Sequence, residues 1–147
     1  MKRKVHIVLG ASLGASIPAV LGASSLDRLV GLVWGAIGGY VPDLDLRRRH
    51  RVLLHNIFSA AALATAAVLA TGTLSGNWLT AAYGGLGYLA GHLSHILADM
   101  LTEKGVALLH PYNNKRYKIA EFKSDNEVLN GLLALLATLL AHLALTS

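Results

Sequence analysis

Residues 52–98 form an unbroken run of 47 positions without Asp, Glu, Lys or Arg. Helices of a soluble bundle carry a charged outward stripe, and a run this long leaves no place for one. Three shorter runs have the same character: residues 5–26, 29–42 and 128–147. Together the four cover 103 of 147 positions. A helix that crosses a bilayer needs about 20 mostly apolar residues, so the longest run has room for two crossings. The segment Thr71-Gly72-Thr73-Leu74-Ser75-Gly76-Asn77 supplies turn chemistry near its middle.

The pattern predicts an all-α, multi-pass membrane bundle forming a single domain over residues 1–147. Helices are expected at about 5–23, 27–42, 52–71, 78–101 and 128–146, with a cytoplasmic loop over about 103–127. The second helix is short, begins at Asp27 and Arg28, and is open to being tilted or partly re-entrant. With the amino terminus in the cytoplasm and the helices alternating, the inner segments collect Lys2, Arg3, Lys4, Arg47, Arg48, Arg49, Arg51, Lys104, Lys115, Arg116, Lys118 and Lys123. Only Arg28 of the 13 basic residues is left outside, as the positive-inside bias requires. The formal charge of +5 is thereby assigned to anionic lipid headgroups; no nucleic-acid partner is expected. Small residues at helix-packing spacing (Gly10 and Gly14; Gly31, Gly35 and Gly39; Gly84, Gly87 and Gly91) favour close helix contact in lipid.

The chain has no cysteine, which excludes disulfide frameworks, thiolate metal sites and cysteine nucleophiles. Phosphate-cradling loops, serine-nucleophile elbows and His-Glu-x-x-His pairs are also absent from the sequence. What remains is a set of imidazoles and carboxylates. The predicted topology brings His6, Asp43, Asp45, His50, His55, His92, His95 and Asp99 to one membrane face, from four separate helix ends. At 100° per residue, His92, His95 and Asp99 share a narrow helical face, and His95 and Asp99 stack one turn apart. His92 could bind a metal, orient a ligand or hydrogen-bond within the bundle. Ionisable groups at membrane depth are costly and read as functional. Imidazole and carboxylate without thiolate suit Zn²⁺ first, with Mn²⁺ or Fe²⁺ as alternatives. His142 is expected at the opposite end, away from the others, and His110 in the cytoplasmic loop.

The string Gly87-Tyr88-Leu89-Ala90-Gly91-His92-Leu93-Ser94-His95-Ile96-Leu97-Ala98-Asp99-Met100-Leu101-Thr102, followed by Gly105-Val106 and Leu108-Leu109-His110-Pro111, resembles the YdjM-type membrane-bound, metal-dependent hydrolases of the inner membrane. His6, Pro42-Asp43-Leu44-Asp45 and the segment from His50 to His55 match the same pattern in order. The sequence departs from it where Val52-Leu53-Leu54 precedes His55 and Asn56 follows. The His-x-x-x-Asp pair, preceded by an Asp and a His, is also distantly similar to one metal site of zinc-dependent phospholipase C and P1-type nucleases. That likeness implies that Asp43 (or Asp45), His55, His95 and Asp99 share one metal, with His6 and His92 as candidates for a second.

The expected ligands are therefore His6, Asp43, His55, His95 and Asp99. Asp45 and His92 are assigned to catalysis, and Arg49 and Arg51 to substrate binding, since guanidinium groups grip phosphate bidentately. The expected function is metal-dependent hydrolysis of a phosphoester or related ester, including a lipid-linked one, at the cytoplasmic face. The alternative is a non-catalytic membrane protein whose His/Asp cluster senses metal, handles ions or holds the bundle together.

Overall fold

A computed structural model describes residues 1–47 and 53–147, with the side chains of residues 45–47 outside the description. Five α-helices are present among the described residues: α1 (Arg3–Val20), α2 (Ser25–Tyr40), α3 (Ile57–Ser75), α4 (Trp78–Met100) and α5 (Glu127–Thr146). A short 3-10 helix, Val41–Arg47, continues from α2. No strand forms among the described residues; isolated bridges pair Val106 with Tyr117 and Thr102 with Phe122.

Local chemistry sets the helix ends. Ser24 and Asp27 form a reciprocal capping box at the start of α2. Asn56 caps α3 by accepting from the Ser59 N–H at 2.9 Å. Helix α3 therefore starts at Ile57, five residues later than the sequence suggested, and His55 lies ahead of the helix. It also runs four residues past its expected end at 71 and stops within the expected turn segment, at Gly76, whose φ of 68° is the left-handed conformation that ends helices. Asn77 then caps α4 by accepting from the backbone N–H groups of Leu79 and Thr80.

Helix α2 lies between α1 and α4, because its glycines allow backbone contact on two sides. A Cβ built on Gly14 would lie 2.2 Å from the Gly31 carbonyl oxygen of α2. On the other side, one built on Gly91 would lie 2.1 Å from the Gly35 carbonyl oxygen. Any larger side chain would drive α1 or α4 off α2. Helix α3 packs on α4, and α5 packs on α1, where Ala137 and Leu133 meet Val5, Leu9 and Ala98.

Of these helices, α3 and α5 are long and apolar enough to cross a membrane. Their outer faces are greasy: Leu69, Leu74, Leu132, Leu135, Leu139 and Leu143 are each more than half exposed. The sequence reading expected a multi-pass bundle of five helices, with the second open to being tilted or partly re-entrant. Helix α2, at 16 residues, reaches only about 24 Å at 1.5 Å per residue, short of a hydrocarbon core of about 30 Å. In α1 and α4 the inward faces are given over to Gly, Ser and His, which lowers their mean hydropathy.

Polar groups concentrate at the two ends of the bundle. At one end Thr80 donates to Asp27 at 2.7 Å and Arg28 donates to the Ala144 carbonyl at 3.2 Å, tying together α2, α4 and α5. At the other end lie the starts of α1 and α5 and the end of α4. There the Lys2 N–H donates to Asn130 Oδ1 at 3.1 Å. The segment after α4 folds back on that end: the Ile119 N–H donates to the Met100 carbonyl and the Ile57 N–H to the Leu108 carbonyl. Its first part packs in, with Thr102 and Val106 fully buried, while residues 111–116 and most of 118–127 are exposed.

Candidate metal centre

Four elements bring imidazoles and carboxylates to that second end. His6 comes from the first turns of α1, Asp43 from the 3-10 helix, His55 from the residue before the α3 cap, and His95 and Asp99 from the last turns of α4. His6, His55, His95 and Asp99 are fully buried; Asp43 alone keeps some exposure, at 6%.

His95 stands at the centre. Its Nδ1 lies 2.8 Å from the Gly39 carbonyl oxygen. A carbonyl only accepts, so Nδ1 carries the proton and Nε2 presents its lone pair. Around Nε2 lie His55 Nε2 at 3.2 Å, Asp99 Oδ2 at 3.6 Å and Asp43 Oδ1 at 3.8 Å. Asp99 Oδ2 is also 3.6 Å from His55 Nε2. Nitrogen and oxygen ligands about 2.0–2.2 Å from one tetrahedral ion sit roughly 3.3–3.5 Å from each other. These spacings are close to the edges of one such coordination shell. Two sets of residues, His6 with His95 and Asp99, and Asp43 with His55 and His95, have ligand atoms within 4.8 Å of one another and can hold a metal ion.

The ring of His6 stacks on that of His95, centroids 3.7 Å apart. Its Nε2 faces Asp99 Oδ1 at 3.3 Å, at an angle that makes no hydrogen bond, and its buried Nδ1 makes none either. A buried imidazole in this state costs stability unless something else engages it, which suits a metal-facing role. The Met1 amino group lies 2.8 Å from Asp99 Oδ1. The donors are nitrogen and carboxylate oxygen throughout, as Zn²⁺, Mn²⁺ and Fe²⁺ accept. The site therefore fits a divalent metal ion.

His92 falls outside both sets. Its Nε2 donates to the Leu54 carbonyl at 2.7 Å, and its Nδ1 faces the Tyr88 hydroxyl at 3.3 Å. Of the roles the sequence left open, the structure gives it hydrogen bonding within the bundle, and its partner is the residue before His55. The Asp45 side chain, Arg49, His50 and Arg51 lie outside the described residues. His110 faces Asn114 Oδ1 at 2.8 Å, and His142 is exposed near the far end of α5. The apolar grooves between helices, such as that lined by Leu13, Ile17, Leu93 and Leu97, involve none of the cluster residues.

Sequence reasoning missed one charged neighbour. Arg3 Nε lies 3.5 Å from Asp43 Oδ2, and its guanidinium carbon sits 5.6 Å from the centre of the Tyr40 ring. The signal was its spacing: Arg3 precedes His6 by three residues, which places both on one helical face.

Comparison with curated proteins and with solved structures returned no match. The model of the YdjM inner membrane protein family matches residues 1–146, essentially the whole length that carries the cluster. The chain belongs to the YdjM inner membrane protein family.

Proposed function

We propose that this protein is a multi-pass enzyme of the cytoplasmic membrane that uses the His/Asp centre to hydrolyse a phosphoester or related ester, including a lipid-linked one, at the cytoplasmic face. The observation that carries the reading is the arrangement of His55, Asp43 and Asp99 donor atoms around His95 Nε2, at 3.2–3.8 Å. In this reading Asp43, His55, His95 and Asp99 hold a divalent ion, Zn²⁺ before Mn²⁺ or Fe²⁺, with His6 beside them. When bound, such an ion supplies Lewis acidity and makes hydroxide available near neutral pH.

The chain's own residues do the rest. Gly39 fixes the His95 tautomer and so keeps Nε2 available as a donor. His92 grips the Leu54 carbonyl and thereby sets the position of His55. Asp43 stands between the buried cluster and the exterior, with one oxygen toward His95 and the other toward Arg3. Asp45, two residues further on, is the proposed general base. Helices α3 and α5 supply the lipid-facing surface, and the end carrying the cluster faces the cytoplasm.

Burial favours a second reading. Three of the four proposed ligands, and His6 beside them, are fully enclosed, as in a closed structural or sensing site. Two measurements separate the readings. The purified protein is screened against phosphomonoester, phosphodiester and carboxylic ester substrates with and without chelator. Water-proton relaxation is then measured on the Mn²⁺-loaded protein. Chelator-sensitive hydrolysis with an exchangeable water on the metal supports the enzyme. A silent screen with no exchangeable water supports the closed site and removes the enzymatic reading.

A further inference from the structure

The metal cluster meets the exterior at one place among the described residues. His6, His55, His95 and Asp99 have no exposed surface, and Asp43 keeps a little. Arg3 stands at that place. Its side chain is 54% exposed while its Nε faces Asp43 Oδ2 at 3.5 Å. The neighbouring cation Lys2 is taken up by Glu127 instead, at 3.5 Å. Among the described residues, Arg3 is thus the Lys or Arg side chain paired directly with a residue of the cluster. Its guanidinium carbon also lies 5.6 Å from the centre of the Tyr40 ring, within cation–π reach. Among the described residues its only polar partner is the carboxylate of Asp43, at 3.5 Å; most of its five N–H donors have no partner there.

We infer that Arg3 binds the phosphoryl group of the substrate as it enters the metal centre. The inference rests on the hydrolytic reading above and names the class of substrate: a phosphate-bearing anion in preference to an uncharged ester. The charge balance favours it. A divalent ion offsets the two carboxylates of Asp43 and Asp99, the Met1 ammonium lies against Asp99, and Arg3 then leaves the mouth positive. The geometry favours it as well. The Asp43 carboxylate touches both the cluster and Arg3, so an anion reaching the metal from the exposed side lies within reach of the guanidinium. A planar fork of N–H donors matches two phosphate oxygens at once, whereas a lysine offers only a point charge.

The test uses the full-length, metal-loaded protein in detergent. Calorimetric titration is run with inorganic phosphate in one arm and dihexanoyl phosphatidate in the other, on wild type, R3Q and R3K, with metal content measured on each. The expected result is that R3Q keeps its metal but binds the phosphate ligands about tenfold or more weakly, the loss typical of a charge-assisted hydrogen bond. R3K should fall between R3Q and wild type. Tighter wild-type binding of phosphatidate would support the inference with a lipid headgroup as the source; equal or tighter binding of inorganic phosphate would support it with a soluble source.

Equal affinity of R3Q and wild type in both arms would overturn it, as would a wild type that binds neither ligand. Loss of metal from R3Q would also overturn it, since Arg3 would then serve only to hold Asp43. Failure of the underlying reading looks different: variants H95A and D99A would keep their metal whatever R3Q does.

Discussion

His95 draws its role from the backbone beneath it. The Gly39 carbonyl accepts a hydrogen bond from its Nδ1–H, and Nε2 then meets His55, Asp43 and Asp99. Replacing His92 removes a hydrogen bond to Leu54 rather than a metal donor. H92F is expected to lower metal affinity about 10–100-fold, the usual effect of losing a group that orients a ligand, without abolishing binding; competition with a chelating dye measures it. If H92F matched H95A in complete metal loss, His92 would be a ligand itself. Most of this site was legible in the sequence, because histidine and aspartate are rare in apolar helices and the spacing of His95 and Asp99 fixes their common face. The contact of Arg3 with Asp43 was not. It depends on where the 3-10 helix after α2 swings Asp43, and no periodicity encodes that.

Among the elements, α2 holds the bundle in register through its glycines. Its contacts with α1 and α4 are backbone to backbone, so added volume has nowhere to go. G35L is expected to cost at least the roughly 1–3 kcal/mol typical of overpacking, and a lowered thermal midpoint in detergent should show it. Because His95 bonds to Gly39 of α2, metal affinity should fall in the same variant. At the start of α3, N56A should cost about 1 kcal/mol through loss of the helix cap, by the same measurement, with a smaller midpoint change than G35L. Helix number and order followed from the charge-free runs, since apolar length is written directly in composition. The ends of α3 were misplaced because caps decide them. Asn56 starts the helix, and Gly76 ends it where Gly72, four residues earlier, is accommodated within it. Both Gly72 and Gly76 read as turn signals, and only packing distinguishes them.

For the whole molecule, the two polar ends define an axis. Asp27, Thr80, Arg28 and the end of α5 mark one pole; Arg3, Asp43, His55, Asp99 and Asn130 mark the other. In the proposed topology, with five alternating helices and a cytoplasmic amino terminus, the α3–α4 turn lies outside and the segment after α4 inside. The chain lacks cysteine, so single-cysteine variants report on one position each. S75C should react with an impermeant maleimide in cells whose outer membrane has been opened, and N113C only after the cytoplasmic membrane is permeabilised; the reverse pattern would invert the topology. The account stands or falls on whether imidazoles and carboxylates from four elements hold one metal centre. Elemental analysis of the purified, detergent-extracted protein tests this most directly, comparing wild type with H95A and D99A after equal exposure to Zn²⁺, Mn²⁺ and Fe²⁺. The predicted result is bound divalent metal in wild type and its loss from both membrane-inserted variants. A metal-free wild type, or the same metal content in all three proteins, would contradict it.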